Sequence, residues 1–313
     1  GIPLRRIVSL SLVLSLAASL VFLLFPMGMA GTIAVLVVMG GFEISSYPLM
    51  DAMAIQFISL GVPIRYSLGR GIGSFSYAVV CIFLGLQVTR FGVESTLITH
   101  ALLVALEIAL VATYPPCPAG PKVAHEARKP HSVFWLLRQN PVFTVMLLAI
   151  LLGITGCLPM SNFLVNVVVS RGGTEGSLGA VLFLMAAFEL PTAFLFQRLY
   201  RRLGGGRLLL VSILFCFGKA LALFLAPNLF WVFLAQPLQM LGYGLFTPTS
   251  VYYVNESVPE EDRIKGQTVM MVASNGLGGV LGSLLAGRAL DLGGANLMLA
   301  CCMVCCILAA GLA

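Results

Sequence analysis

Residues 5–26 read RRIVSLSLVLSLAASLVFLLFP, two arginines followed by about twenty residues in which serine is the only polar type. A helix rises about 1.5 Å per residue, so this run is long enough to cross the roughly 30 Å hydrocarbon core of a bilayer. Backbone N–H and C=O groups find no water partners there, which favours a helix over irregular structure. The stretch therefore predicts a transmembrane helix with cations at its N-terminal end.

The rest of the chain has the same character. Of its 313 residues 59% are apolar and 10% are charged, and the mean hydropathy is +1.01. Soluble domains are roughly 45–50% apolar and about 25% charged, so this composition cannot supply a water-facing surface. It excludes a soluble enzyme and predicts an all-α, polytopic membrane helix bundle. Ten transmembrane segments are predicted, at about residues 7–27, 31–56, 67–89, 94–113, 140–168, 176–197, 207–226, 229–254, 265–288 and 292–313.

The distribution of cations tests this count, because Lys and Arg concentrate in the cytoplasmic loops of membrane proteins. Arg90, Arg171 and Arg288 fall in one set of alternate loops, and Lys219 lies inside the seventh segment. The other fourteen cations precede the first segment or lie in the opposite loops. This alternation predicts a multi-pass plasma-membrane protein with a cytoplasmic N-terminus, and it accounts for the net charge of +6 without nucleic acid as a partner. The fourteen are Arg5, Arg6, Arg65, Arg70, Lys122, Arg128, Lys129, Arg138, Arg198, Arg201, Arg202, Arg207, Arg263 and Lys265.

The cysteines and glycines suggest neither a metal nor a cofactor. Seven of the eight Cys fall in predicted segments, and Cys117 lies in a long loop. The CC-x-x-CC string at residues 301–306 has no His or acid nearby, so we interpret it as small apolar packing residues. Two GxxxG pairs predict close helix contacts rather than nucleotide loops, since no strand precedes them. These pairs are Gly69 with Gly73 and Gly278 with Gly282.

One long loop, residues 114–138, is rich in Pro and basic residues and separates four segments from six. The predicted domains are an incomplete N-terminal bundle at 1–113, a cytoplasmic linker at 114–138 and a C-terminal bundle at 139–313. Many transporters have two six-helix halves built from three-helix repeats, and residues 5–26 are similar to residues 206–227, GRLLLVSILFCFGKALALFLAP. The first four segments thus align with the last four of the second half. We expect the first bundle to lack two helices.

Several motifs resemble those of the major facilitator superfamily, in particular the branch that contains lactose permease and the phenylpropionate and nucleoside permeases. The resemblance covers essentially the whole chain, as helices three to twelve of the usual twelve. It implies two helix bundles that alternate access to a central cavity near the bilayer midplane. The motifs are PLMDAMAIQF (48–57), RYSLGRGIGS (65–74), QRLYRRLGGGRLLL (197–210), YYVNESVPEEDRIKGQ (252–267) and GLGGVLGSLLAGRALDLGG (276–294).

The resemblance also implies roles for single residues. The stretch GSFSYA (73–78) places Arg70 in the slot of an essential arginine of the sugar-symporter branch, and Asp51 in the slot of the acid that partners it. Lys219 takes the place of a buried arginine of the family. The family's proton-linked His and Glu on the next helix have no titratable counterparts here, the first falling at about Gln239. The resemblance therefore does not by itself support proton coupling by that route.

Charges inside the segments nominate a site, because each costs at least about 2.5–3.5 kcal/mol at the bilayer centre. Glu43 and Asp51 lie within about 80° of each other on one helix face and can share a cavity. Asp51 with Arg70 is either a substrate-binding pair or a fixed cytoplasmic salt bridge. Lys219 is expected either to form a structural pair with Glu189 or to take part in coupling or in the binding of an anionic substrate. If transport is coupled to an ion, Glu189 is the first candidate for carrying it.

Uncharged polar residues form a second group of candidates. Asn162 and Asn166 are spaced to share a face of the fifth segment, and Gln236, Gln239 and Tyr243 a face of the eighth. Such groups can bind a polar solute, but they bond neighbouring helices equally well, at about 0.6 kcal/mol each. Both interpretations stay open.

These observations predict a secondary transporter rather than an enzyme. The three His, at 100, 125 and 131, lie in or near predicted loops, so convergent catalytic residues are not evident. The expected partners are the lipid bilayer, a small solute of the sugar, nucleoside or aromatic-acid type, and a proton or sodium ion, with the protein acting as a monomer. The alternatives are an efflux antiporter for drugs or metabolites and a membrane protein that binds a ligand without transporting it.

Overall fold

The computed structural model describes residues 3–59, 61–63, 66–115, 132–259 and 262–313, and every regular element in these ranges is a helix. Most of the predicted linker lies outside them, together with Arg65, Cys117, His125 and His131. The elements are α1 (Leu4–Leu24), α2 (Met29–Ser59), α3 (Tyr66–Phe91), α4 (Ser95–Thr113), α5 (Val133–Gln139), α6 (Pro141–Asn162), α7 (Leu164–Ser170), α8 (Glu175–Leu203), α9 (Gly205–Leu225), α10 (Leu229–Ala235), α11 (Leu238–Leu241), α12 (Tyr243–Ser257), α13 (Arg263–Met271), a π-helical stretch (Val272–Gly278) and α14 (Gly279–Leu312).

Seven helical stretches among the described residues are long and apolar enough to cross a membrane. Helix α8 supplies an eighth, bent by 55° between Thr192 and Phe194, where Pro191 removes a backbone hydrogen bond. The C-terminal part of α3, Ser76–Phe91, is a shorter apolar helix. The all-α membrane architecture expected from the composition is therefore confirmed.

The longest stretch, Lys265–Leu312, contains 48 residues. A straight helix of that length would extend about 72 Å, more than twice the thickness of a bilayer core. It is broken at Gly293 and Gly294, whose φ angles of −151° and 67° lie outside the helical range. Only glycine adopts the second of these readily. The stretch thus comprises two spans, at the positions of the predicted ninth and tenth segments.

The first of two compact units comprises the described residues within Gly1–Ile72 and Gln87–Ala124. Helix α1 packs against α2 and α4, and its buried residues include three serines as well as Val8 and Leu12. The Arg5 guanidinium donates to the carbonyls of Ala112 and Tyr114, both at 2.6 Å, where α4 ends. These two hydrogen bonds satisfy carbonyls that have no partner within the helix at its C-terminus.

The second unit comprises the described residues within Gly73–Leu86 and His125–Ala313. Helix α6 packs along α14, and Gly278 and Gly282 allow the approach. A Cβ atom at either position would lie 2.9 Å from a carbonyl oxygen of α6. The predicted close contact at this glycine pair is confirmed. At the other predicted pair, a Cβ at Gly73 would meet no atom within 4 Å among the described residues, and the surroundings of Gly69 are not described. Within 301–306, Cys302 and Cys306 pack in the core as predicted.

Candidate functional site

Lys219 is the most deeply buried cation of the described residues, with 1% of its surface exposed in the middle of α9. Its ammonium donates to Oε1 of Gln239 at 2.6 Å and contacts Sδ of Met185 at 3.6 Å. A buried charge is tolerated only with polar partners. The amide of Gln239 is therefore what permits Lys219 to lie here.

Gln239 connects this lysine to an acid. Its Nε2 donates to Oε1 of Glu189 at 2.8 Å, so the amide presents its oxygen to the cation and its N–H to the carboxylate. The direct Lys219–Glu189 pair expected from the sequence is replaced by this bridge. We refer to Lys219, Gln239 and Glu189 as the polar array. It joins α9, α11 and α8 inside the second unit.

Breaks in the helices position the array. Gln239 belongs to the four-residue α11, which is followed by Gly242 with a φ of −82° and a ψ of −108°. A Cβ at Gly242 would lie 3.3 Å from the backbone nitrogen of Cys216 in α9, so glycine permits this close approach. Thr192, just before the bend in α8, donates to the carbonyl of Met240 at 3.0 Å. Two of the three helices, α8 and α11, are therefore interrupted near the array while α9 is continuous, and interrupted helices are found in many transporter binding sites.

Two tyrosines lie near the array. Tyr243, which is largely buried, and Tyr77, half exposed on the part of α3 that belongs to this unit, are both within electrostatic range of Glu189. Glu189 itself is only partly buried. The carboxylate end of the array is thus accessible, whereas the ammonium end is closed.

The other predicted residues of the second unit lie apart from the array. Gln236 is fully buried and donates to the carbonyl of Val232 in its own helix, while its Oε1 has no partner among the described residues. Asn162 and Asn166 are exposed, and the helix is interrupted between them at Phe163. The face expected to be continuous at these asparagines is therefore divided between α6 and α7.

In the first unit the carboxylate of Glu43 has two polar side-chain partners, and one of them contacts a third polar residue. Its Oε1 accepts from Oγ of Ser15 at 2.7 Å and lies 2.7 Å from Nε2 of His100, whose Nδ1 is 3.1 Å from Oγ of Ser19. The side chains of Asp51 and Arg70, the other candidates here, lie outside the described residues.

Sequence reasoning missed His100, which it placed in or near a loop. The structure places it within α4, on the side that packs against α1 and α2. One signal was available, because His100 and Glu107 are seven residues apart and so lie about two turns apart on the same helix face. Two ionisable groups on one face of an otherwise apolar helix indicate a polar interior contact.

Comparison with known proteins agrees with this architecture. Residues 4–300, nearly the whole chain, match the MFS_1 like family. The chain belongs to this family. It is thus a multi-pass membrane protein of the major facilitator superfamily, as the motifs of its second and third segments and of its glycine-rich ninth segment predict.

Other members of the superfamily give similarity in sequence and in fold. The maltose permease of Geobacillus stearothermophilus is 25% identical over 255 residues, which are 82% of this chain and 64% of the permease. The aligned stretch thus spans less than two thirds of that relative's length. Two crystal structures of the nucleoside transporter NupG, one of them a variant, superpose with TM-scores of 0.79 and 0.76 at 13% identity, over 99% of this chain and 81% of theirs. These relatives are transporters rather than enzymes.

Proposed function

We propose that this protein is a secondary active transporter that moves a small organic solute across the plasma membrane by alternating access. The observation that carries the proposal is the polar array, a buried cation on the continuous helix α9 and a partly accessible carboxylate on the bent helix α8, joined by the amide of Gln239 in the short helix α11. The named relatives, a maltose permease and a nucleoside transporter, support a solute of the sugar or nucleoside type. An aromatic acid is a further candidate, because Lys219 supplies a positive charge.

The array suits a solute that carries hydroxyl groups or a weak negative charge. Gln239 is neutral, so it satisfies the hydrogen bonds of Lys219 and Glu189 without cancelling either charge. A solute hydroxyl can donate to Glu189 and accept from the amide of Gln239 in place of their mutual bond. Because such a bond exchanges one partner for another, a small difference in affinity is enough to shift the array between two arrangements.

Coupling to an ion follows from the same groups. A proton or a sodium ion that neutralises Glu189 would weaken its bond to the N–H of Gln239 and leave that N–H free to bind a solute, while the amide oxygen still accepts from Lys219. We assign coupling to Glu189 and Lys219 on this basis. The chain is proposed to act as a monomer with its N-terminus in the cytoplasm, as the distribution of cations predicts.

The remaining candidates are proposed as solute contacts. Glu43, Asp51 and Arg70 belong to the first unit, and an acid next to an arginine can bind adjacent sugar hydroxyls through two charge-assisted hydrogen bonds. In the second unit, the exposed amides of two asparagines and the hydroxyl of a tyrosine next to the array are able to reach a solute, and a buried glutamine retains a free acceptor. These are Asn162, Asn166, Tyr243 and Gln236.

Solute counterflow in proteoliposomes tests the function. We expect saturable exchange of at least one of three radiolabelled probes, namely maltose, uridine and phenylpropionate. Lys219→Met and Glu189→Gln should each slow it by at least about tenfold, which corresponds to about 1.4 kcal/mol. Thr249→Val is the matched control, because this buried hydroxyl bonds only the carbonyl of Leu245 in its own helix.

The outcomes separate the alternatives. Absence of exchange for all three probes would argue against a transporter of these solutes, and saturable binding without exchange would identify a non-transporting binding protein. Exchange that Lys219→Met and Glu189→Gln leave intact would remove the array from the site. For the first unit, Arg70→Lys should abolish exchange, since an ammonium cannot replace a planar bidentate donor, whereas Arg90→Lys at the other end of α3 should not.

A further inference from the structure

A second group of ionisable residues lies in the first unit, apart from the polar array. We define the Glu43 cluster as Glu43, His100, Ser15 and Ser19, which come from α2, α4 and α1. Glu43 and His100 are each 28% exposed, and both serines are buried. The proposed solute transport makes no use of the histidine or of either serine.

The short distance between His100 and Glu43 places a proton between them. A carboxylate oxygen and an unprotonated ring nitrogen are both acceptors, so a separation of 2.7 Å between Nε2 and Oε1 requires a hydrogen on one of them. The hydroxyl of Ser15 donates to the same oxygen at 2.7 Å and stabilises the negative charge of the carboxylate. We therefore place this hydrogen on Nε2, with Glu43 ionised.

The other ring nitrogen can gain a proton without losing its partner. When Nδ1 is unprotonated, it accepts from the hydroxyl of Ser19 at 3.1 Å. When Nδ1 carries a proton, it donates to the same oxygen, and the hydroxyl turns to the carbonyl of Ser15 at 3.0 Å or to Sδ of Met39 at 3.3 Å. Every polar atom of the ring is thus satisfied in both states.

From this geometry we propose that the Glu43 cluster is a proton-binding site, and that its proton couples transport to a pH gradient. The proton enters at Nδ1 of His100, the hydroxyl of Ser19 reverses its direction, and Glu43 balances the new positive charge. The coupling step rests on the proposed transport function; the binding of the proton does not.

The surroundings of the cluster supply few competing charges. Tyr47 on α2 and Glu107 on α4 are the titratable groups within electrostatic range of Glu43. Helix α1 contributes Arg5 and Arg6 at its start, and Arg5 lies ten residues from Ser15, about 15 Å along the helix. From α3, the neutral Gln87 accepts a hydrogen bond from Thr99, next to His100. The remaining charged residues of these helices are Asp51 on α2, Arg70 and Arg90 on α3, and Glu94 just before α4; the side chains of Asp51 and Arg70 are not described.

Proton uptake by the purified protein tests the site without reference to transport. When a weakly buffered solution is taken from about pH 8 to about pH 5, the wild-type protein should bind about one proton more than the double variant Glu43→Gln, His100→Gln. The control Thr99→Val, which loses a bond between α4 and α3 but no titratable group, should match the wild type. Equal uptake by the wild type and the double variant would overturn the proposal.

Transport in proteoliposomes tests the coupling. With an inside-alkaline pH gradient, the wild type should accumulate whichever probe it exchanges. His100→Gln, which the proposed solute site does not include, should lower accumulation by at least about tenfold while counterflow persists, and Glu43→Gln should lower accumulation at least as much. The double variant should accumulate as much probe as the more impaired of the two single variants, because the two residues act together. Glu43→Asp should restore part of the accumulation and Thr99→Val should retain it.

Two results would overturn the coupling step. One is accumulation by His100→Gln equal to that of the wild type; the other is a wild-type protein that exchanges solute but does not respond to the pH gradient. Failure of the wild type to exchange any probe would overturn transport, and coupling with it, whereas the proton-uptake measurement would still decide whether the cluster binds a proton.

Discussion

The two units hold their helices together in different ways. We compare the share of buried residues in the most apolar part of each span. In the first unit this share is 6% for Met29–Tyr47 and 11% for Ser95–Thr113. In the second unit it is 56% for Pro141–Asn162. The first unit relies on bonds such as those of Glu43 and Arg5, and the second on close packing of apolar side chains and glycines.

This difference extends to the charged residues of each unit. In the second unit the Lys219 ammonium is enclosed by packing and reaches Glu189 only through Gln239, so the position of this cation is fixed. In the first unit the acid contacts a histidine directly, and both side chains are partly exposed. A packed environment favours a binding site of fixed shape, whereas a partly open one favours exchange of a proton with water. The two units are thus suited to different tasks.

The largest effect is expected from removing the bridge of the polar array. Gln239→Leu leaves the ammonium of Lys219 buried without an oxygen partner and should lower the free energy of unfolding by about 3–5 kcal/mol. Adding Lys219→Met should restore most of that loss, since replacing both partners by apolar groups is nearly neutral. Thermal unfolding in detergent measures both. If the double variant is as unstable as Gln239→Leu, burial of the cation is not the reason.

The contrast in packing predicts opposite effects of the same substitution. Gly282→Ala places a Cβ 2.9 Å from the carbonyl oxygen of Thr155 and should cost about 2 kcal/mol, because backbone must move. Gly40→Ala in α2 meets nothing within 4 Å and should stabilise its helix by about 0.5–1 kcal/mol. Thermal stability of the two variants distinguishes the units; equal effects would contradict the difference in packing.

The smallest effects concern two arginines that bond the carbonyls at helix ends. Arg171 donates to the carbonyls of Leu223 and Phe224 at 3.3 and 3.1 Å and to Asn296, whereas Arg5 bonds two carbonyls at an exposed surface. Arg171→Met should therefore cost about 2 kcal/mol and Arg5→Met about 1 kcal/mol or less. A chemical-denaturation series in detergent compares them. A greater loss for Arg5→Met would mean that burial does not set the strength of these bonds.

The sequence was sufficient for the features that depend on runs of residues. Apolar stretches such as 5–26 predicted the helices, and the polar interior positions made all three residues of the array, Lys219, Glu189 and Gln239, candidates. The connection between them was not predictable, because it depends on how far each helix is rotated about its axis. Gln239 reaches both charges only because α11 is four residues long and ends at Gly242.

The contacts within the Glu43 cluster could not be predicted from the sequence either. Glu43 was a candidate from its charge alone, but its neighbours come from helices that are 28 and 57 residues away in the chain. No local pattern relates Ser15 or His100 to it. Such a contact can be identified only when the packing of α1, α2 and α4 is known. Few residues of this unit are buried, so the hydrophobic periodicity of its sequence gives little information about that packing.

The π-helical stretch Val272–Gly278 has a further consequence. Each wide turn holds an additional residue, and one residue corresponds to about 100° of rotation about a helix axis. Helix α13 and the start of α14 therefore present faces that are out of phase, although the chain runs through them without interruption. Deleting Asn275 would allow a regular helix to form and would turn Gly278 and Gly282 away from α6 or α13 away from its own neighbours. The stretch thus acts as a fixed angular offset that lets one span satisfy two different sets of contacts.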